Sequence, residues 1–579
     1  MEYSKVANYL EKIANNPKRL AKTKYLSELL KETPKESLNS MMLLLRGNIF
    51  PDWDEREIGM SSNLILKSIA ITTGKSTDNL KEEWKKIGDI GSLAQEIISS
   101  KTQSTLFNKK NTVNEVIESL QGLAGQIGQG SVDRKIKTIS SLLSSCTPLE
   151  AKYIARAALQ DLRIGVSDGT IRDSLIWAFV DDLKMVYEPD QEKLDYSAQG
   201  AREQYVEMQD VLQSAIDKTN DFGKLARILK KKEFHELKAI KIEHGKPFKV
   251  MLAQKSSKIS DAIEKVGTPA AVEQKKDGFR VQIHKINQKV KIFTRSLDNV
   301  TEQFPEIILN IRKFVKLDNC IIDAEAVGYD FETKKYMPFQ SISQRIKRKH
   351  NIKKLSEKYP VEIFAFDLIA KGNEIINLPF KQRRQLLEDA IIETDYKIRL
   401  IKQIKSSDAQ QIKKFYEEAL LEGNEGIMIK NNESPYKPGS RTGHMIKMKP
   451  SMDEMDLVIV GAEWGTGKRS GWLTSFKLAC KHENKYLEIG KVGTGLKEKG
   501  EGLTFNQLTE LLKPLITKEN AREVQITPKI LIEVRFEEIQ KSSAYSSGYA
   551  LRFPRVIRLR EDKKEITTLA EVKKAYEDQ

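Results

Sequence analysis

EQKKDGFRVQIHK, residues 273–285, sets two lysines beside an acid, a glycine and a phenylalanine, then alternates apolar with polar residues. Alternation with a period of two is the signature of a half-buried strand, so the lysines sit where strand and turn meet. Two readings are open here. In one, the pair is the solvated charge of a surface turn. In the other, one amine is a nucleophile, which must be neutral to attack although an ordinary lysine titrates at about 10.4. Neighbouring cations such as Arg280 are candidates for lowering that value.

Working outward, the character of the chain changes on either side. From residue 1 to about 225, apolar residues recur at helical spacing, as in YSKVANYLEKIA, VNEVIESLQGLAGQI and LEAKYIARAALQDL. A charged stretch, ILKKKEFHELKAIKIEHGKPFKV, follows and reads as a connector ending in a Gly-Lys-Pro turn. Between 250 and 450, β-branched runs (VKIFTR, CIIDAEAV, VEIFAFDLI, EGIMIK) are interleaved with helical patterns such as LPFKQRRQLLEDAI. After KMKPSMDEMD the strands are shorter and denser, which suits a small β-barrel, and LAEVKKAYEDQ reads as a closing helix. The expected architecture is multidomain: an all-α region at 1–240, an α+β region at 241–450, and a β-barrel with a C-terminal helix at 451–579.

Composition narrows the function. With 579 residues the chain is too long for one core, and 39% hydrophobic residues suffice to fill several. The 97 Lys and Arg exceed the 81 Asp and Glu to give a formal charge of +16, which favours a polyanionic partner such as nucleic acid. Cys146, Cys320 and Cys480 are scattered without CxxC spacing, so neither a disulfide framework nor a cysteine zinc site is readable. A reducing, intracellular setting and a soluble protein are expected, since no stretch has signal-peptide or membrane-span character. GAEWGTGKRS resembles a phosphate-binding P-loop, yet Ala462 stands at the first glycine and Arg469 where Ser or Thr is required.

Lys275-Lys276-Asp277-Gly278-Phe279-Arg280 resembles the KxDGxR motif of covalent nucleotidyltransferases, and further motifs follow it in the family's order. The resemblance makes Lys275 the nucleophile and places Glu273 on its strand face, reading the adenine edge. Lys276 then points away, as solvated charge or a DNA phosphate contact. Arg280 joins the nucleotide site, and Arg295, in VKIFTRSLDNV, meets the ribose or phosphates. Glu325, in CIIDAEAVGYD where alanine replaces the usual glycine at 324, holds the ribose hydroxyls or a metal-bound water. Phe366, in VEIFAFDLI, stacks on adenine, and Glu425, in EGNEGIMIK, binds a divalent metal. Arg441, Lys447 and Lys449, in SRTGHMIKMKP, neutralise the phosphates, the two lysines sharing one strand face. ALRFPRVIRLREDK supplies Arg555, Arg558, Arg560, Asp562 and Lys563 to orient the pyrophosphate, which implies domain motion.

The helical part extends the resemblance to ATP-dependent DNA ligases of the archaeal and eukaryotic replicative type. DLRIGVSDGTIRDSL is similar to their DNA-binding domain, with Arg163, Gly165, Gly169 and Thr170 as candidate DNA contacts and backbone amides facing a phosphate. Gln103, Leu106 and Phe107, in KTQSTLFNKK, resemble their short sliding-clamp box, and Lys468 and Arg469 are candidate phosphate contacts. The implied activity is nick sealing in duplex DNA through lysyl-AMP, using ATP and Mg2+ with Mn2+ as a possible substitute. Replication, repair, recombination and cell division are the implied settings. The C-terminal barrel becomes an OB-fold, and the protein a monomer in the cytoplasm or nucleoid. Rival readings are a capping guanylyltransferase, against which the helical domain argues, an NAD-dependent ligase, which lacks its four cysteines here, and a non-catalytic nucleic-acid scaffold.

Overall fold

The computed structural model describes residues 1–579 except 101–109, 184, 347, 349, 451–452, 466–468, 470, 501, 521, 564 and 578–579, and omits the side chains of 182, 340 and 453. These residues form two compact units, Met1–Met448 and Lys449–Gln579. The clamp-box candidates Gln103, Leu106 and Phe107, and Lys468, lie outside the described residues.

The first unit opens on helices whose apolar residues repeat every three or four positions. In Tyr3–Ala14, the residues Tyr3, Val6, Ala7, Leu10 and Ile13 all face one large core. Thr112 with Glu115 and Thr147 with Glu150 close capping boxes that define where two of these helices begin. The helical expectation needs one correction. A hairpin, β1 (Met185–Glu188) and β2 (Lys193–Tyr196), interrupts the helices, because Pro189 and Asp190 favour a turn between two short alternating runs. The charged stretch at 226–250 is also partly helical, over Phe222–Lys230 and Phe234–Ala239.

The rest of this unit is two sheets. One contains β3 (Leu252–Lys255), β4 (Ala270–Lys275), β11 (Gln403–Ser406), β12 (Gly426–Asn431) and β13 (Arg441–Met448), in the order β11-β4-β12-β13-β3. The other runs β10-β8-β7-β5-β6, built from β5 (Phe279–Ile286), β6 (Lys289–Thr294), β7 (Asn319–Gly328), β8 (Val361–Lys371) and β10 (Ile398–Leu400), with β9 (Asn373–Glu374) on β8. Each sheet buries one face against helices. Val272, Ile427, Ile429 and Ile446 pack with Ile412 and Phe415 of the helix Ala409–Leu421, and Val281, Ile283, Ile322 and Ile363 pack with Ile307 and Ile311 of the helix Pro305–Phe314. The connector at 241–250 binds β5: Gly245 N–H donates to His284 Nδ1 at 3.1 Å, and Gln282 Nε2 donates to the Phe248 carbonyl at 2.6 Å.

The second unit is strand-rich. Its main sheet orders β16 (Lys485–Val492), β15 (Leu473–His482), β14 (Asp453–Trp464), β18 (Glu523–Ile526) and β17 (Ile516–Asn520), with β19 (Leu531–Phe536) on β14 and β22 (Arg555–Leu559) on β19. A hairpin of β20 (Glu538–Lys541) and β21 (Tyr549–Arg552), and the helices Phe505–Leu512 and Leu569–Glu577, complete it. Among the described residues no helix is long and apolar enough to cross a membrane.

Candidate active site

Strand periodicity places the candidate residues. Ala270 and Val272 of β4 point into the helix-backed core, so Glu273 and Lys275 point the other way. In β12, Ile427 and Ile429 face that core and Met428 and Lys430 do not. Register then lines Gln403, Glu273, Met428, Lys447 and Lys255 into one row across all five strands. On the other sheet Phe279 and Val281 face the core, leaving Arg280 paired in register with Glu325, and Glu325 with Phe364. The two polar faces meet: Lys430 Nζ of one lies 4.8 Å from the centroid of the Phe366 ring of the other.

Lys275 ends β4, where its carbonyl accepts from the Glu425 N–H at 2.8 Å. Its Nζ stands 2.5 Å from Glu425 Oε2. Burial pulls its pKa down, but the Glu425 and Glu325 carboxylates outweigh burial and hold the ammonium above its ordinary value. This corrects the expectation that Arg280 lowers it. Arg280 is spent elsewhere: Nε donates to Asp323 Oδ1 at 2.8 Å, NH1 to the Met251 carbonyl at 2.7 Å, and NH2 to the Tyr436 hydroxyl at 3.1 Å, while that hydroxyl donates to Asp323 at 2.9 Å. Burial pushes the Glu325 carboxyl up to about 7; Lys275 opposes this shift and Glu425 adds to it.

Among the described residues no cluster of three or more His, Cys, Asp or Glu could cage a metal. Two carboxylates converging on one lysine, with one of them pushed up to about 7 by burial, nevertheless fit Mg2+, which takes one or two carboxylates and completes its shell from phosphates and water.

Lys276 departs from the solvated role. It is half-buried, with Nζ 4.9 Å from the Phe364 ring centroid and 5.5 Å from that of Tyr336, and burial lowers its pKa. The glycine of the motif also has a local reason. A Cβ on Gly278 would meet the Ala326 carbonyl oxygen at 2.4 Å, so only glycine lets the turn lie against β7. Ala324, by contrast, lies in ordinary strand with its side chain in the core.

Glu273 is 2% exposed, and its carboxylate accepts from Gln403 Nε2 at 2.9 Å and pairs with Lys430 at 2.6 Å and Arg384 at 3.8 Å. Phe366 is half-buried beside it, between Lys430 and Arg280, whose guanidinium carbon is 5.4 Å from the ring centroid. Arg295 stands exposed after β6 and Arg441 exposed at the start of β13. The pairing of Lys447 and Lys449 on one strand is corrected: β13 ends at Met448, and Lys449 opens the second unit, 3.7 Å from Glu537. Gln403, Lys430 and Arg384 escaped the sequence reading. Lys430 was accessible from the period of EGIMIK, whereas Gln403 lies 130 residues from Glu273 and only sheet closure joins them.

In the helical part, the helix begins at Asp168, and the Thr170 N–H already donates to the Ser167 cap. This corrects the expectation of a free Thr170 amide. Gly165 has φ +62° and its carbonyl accepts from Lys22; Gly169 lies near Arg19; Arg163 pairs with Asp161 at 2.7 Å and Asp89 at 3.3 Å. In the second unit Arg555 is exposed, Arg558 pairs with Glu533 at 2.7 Å, Arg560 with Asp456 and Asp562 at 3.0 Å each, and Lys563 with Asp456 at 2.8 Å. Arg469 pairs with Glu498 at 2.8 Å and lies over Phe505.

Comparison with known proteins finds relatives along the whole chain. Residues 2–176, 250–449 and 469–563 match, in turn, the families described as DNA ligase N terminus, ATP dependent DNA ligase domain and ATP dependent DNA ligase C terminal region. The chain is 42% identical to the DNA ligase of Nanoarchaeum equitans, covering 100% of this chain and 99% of that protein. It is 37% identical to the DNA ligase of Archaeoglobus fulgidus, covering 100% and 98%. Among solved structures, Pmar-Lig_PreS3 is similar in fold, with a TM-score of 0.56 at 16% identity over 96% of this chain and 99% of that one.

Proposed function

This chain belongs to the ATP-dependent DNA ligase family, and from that premise we propose that Lys275 is the residue that carries AMP from ATP to a nick. The protein is a DNA ligase, an enzyme that uses ATP and acts on nicked DNA, and replication and repair are general settings of such enzymes. The observation that carries the assignment is the Lys275 ammonium held between Glu425 and Glu325, in a cleft that also holds Glu273, Phe366, Arg280 and Lys447.

The chemistry runs in three displacements. Lys275 first yields a proton, for which Glu425 Oε2 at 2.5 Å is the acceptor in contact. The neutral amine attacks the α-phosphorus of ATP, a P–N bond forms, the nitrogen releases one further proton to solvent, and the broken P–O bond leaves with pyrophosphate. An oxygen of the nick 5′-phosphate then attacks the AMP phosphorus, the P–N bond breaks, and the amine regains a proton. Finally the 3′-hydroxyl attacks the 5′-phosphorus, loses its proton, and expels AMP. Glu325 and Glu425 are the residues that would hold Mg2+, which when bound neutralises phosphate oxygens. Phe366 stacks on the base, Glu273 accepts from its 6-amino group, and Arg280, Arg295, Arg441, Lys447 and Lys449 bind ribose and phosphates.

The same reading assigns 1–240 to DNA binding, 241–450 to adenylation and 451–579 to an OB-fold that brings Arg555, Arg558, Arg560, Asp562 and Lys563 to the pyrophosphate. Arg163, Gly165, Gly169, Lys468 and Arg469 contact DNA. Gln103, Leu106 and Phe107 engage a sliding clamp, and the enzyme is an intracellular monomer. The test is intact-protein mass spectrometry after ATP and Mg2+. The wild type and Lys276→Ala gain one AMP and Lys275→Ala does not; an adduct kept by Lys275→Ala and lost by Lys276→Ala overturns the assignment.

A further inference from the structure

The acid that faces the base is held from behind by groups that the three displacements do not use. Glu273 is buried, where a carboxylate needs partners to hold it in one orientation. Here both oxygens are engaged. Oε2 meets Lys430 Nζ at 2.6 Å, and Oε1 accepts from Gln403 Nε2 at 2.9 Å and has Arg384 NH1 at 3.8 Å. Arg384 is itself buried, anchored by Nε on Glu388 at 2.7 Å and by NH2 on the Ile401 carbonyl at 3.1 Å. Its NH1 is buried without a hydrogen-bond partner, so its charge is directed at Glu273. The Ile401 bond also ties Arg384 to the chain two residues before Gln403, where Gln403 and Glu273 stand in register on β11 and β4.

We propose that Arg384 and Gln403 are positioning residues for nucleobase choice, holding Glu273 as an oriented acceptor that takes the 6-amino group of adenine and repels the 6-oxo group of guanine. This rests on the reading of the cleft as the nucleotide site. Adenine offers two N–H donors at position 6, and guanine an acceptor there, so a fixed carboxylate gains with one and loses with the other. A carboxylate free to turn aside holds adenine less well and repels guanine less. Lys430 is kept apart from the assignment because its ammonium also lies over Phe366 and Phe380 and so reaches the ring platform itself.

The experiment measures lysyl-AMP formation by the full-length enzyme with ATP, GTP and the triphosphate of purine riboside, which has hydrogen at position 6. Gln403→Leu and Arg384→Met are compared with Arg384→Lys, each checked for folding by its thermal transition. The first two variants are expected to raise KM for ATP by about tenfold with kcat nearly unchanged, and to lower the ATP-over-GTP preference by about the same factor. With purine riboside triphosphate their rates match wild type, and Arg384→Lys recovers most of the preference. Unchanged ATP-over-GTP preference in folded Gln403→Leu and Arg384→Met overturns the proposal, as does an equal loss on ATP and on the 6-hydrogen analogue. Failure of the underlying reading looks different: the wild type itself then uses ATP and the 6-hydrogen analogue equally well.

Discussion

At the scale of single residues, the site is a set of local conflicts resolved by neighbours. Lys275 is the clearest case. Its two acids make it a better ammonium and so a poorer nucleophile until charge in the cleft is rearranged, the opposite of what a cationic neighbour would do. Gly278 resolves a steric conflict, because β7 passes within 2.4 Å of where a Cβ would stand. Gly278→Ala must therefore push the turn off Glu325, and lysyl-AMP formation in single turnover should fall by about tenfold or more with the helical region still folded. An undiminished rate would show that the turn moves freely. The motif was legible because its spacing is local. The partners of Arg280 were not, since Tyr436 lies 156 residues away in sequence and reaches it only through the fold.

At the scale of elements, period two explains why each strand of the cleft shows one apolar and one chemical face. That pattern was readable in VQIHKI and EGIMIK, whereas the β1–β2 hairpin was hidden by flanking helical spacing. The end of β13 at Met448 was hidden too, because MIKMK keeps alternating past it. The connector depends on one neutral imidazole. His284 is fully buried, accepts from the Gly245 N–H through Nδ1, and is lowered by burial from an ordinary 6.5 to about 3. A lowered folded-state value means that the neutral ring stabilises the fold fully above about 6.5, and that this contribution drains away as pH falls from there toward about 3. The thermal midpoint of the wild type should thus drop between pH 7 and pH 4 more steeply than that of His284→Gln, which has no proton to gain. Parallel pH profiles would remove His284 from the account.

At the scale of the whole molecule, the formal charge of +16 suits a partner met through its phosphates, and such contacts weaken with salt. KM for nicked duplex DNA should rise at least about tenfold between roughly 0.05 and 0.2 M salt, while lysyl-AMP formation, carried by charges inside a cleft, should change less than about threefold. Equal sensitivity of both steps would place the salt effect in the cleft. The sequence by itself determined the class of the chain, the order of its helical, mixed and strand-rich regions, and the nucleophile candidate. Each of these is written in local periodicity or in short spacing along the backbone. Only the tertiary structure decided the ionisation of Lys275, the engagement of Arg280 by Asp323, the partial burial of Lys276 and the three-sided grip on Glu273. Charge and burial depend on which distant strands close beside one another, and residue spacing carries no record of that distance.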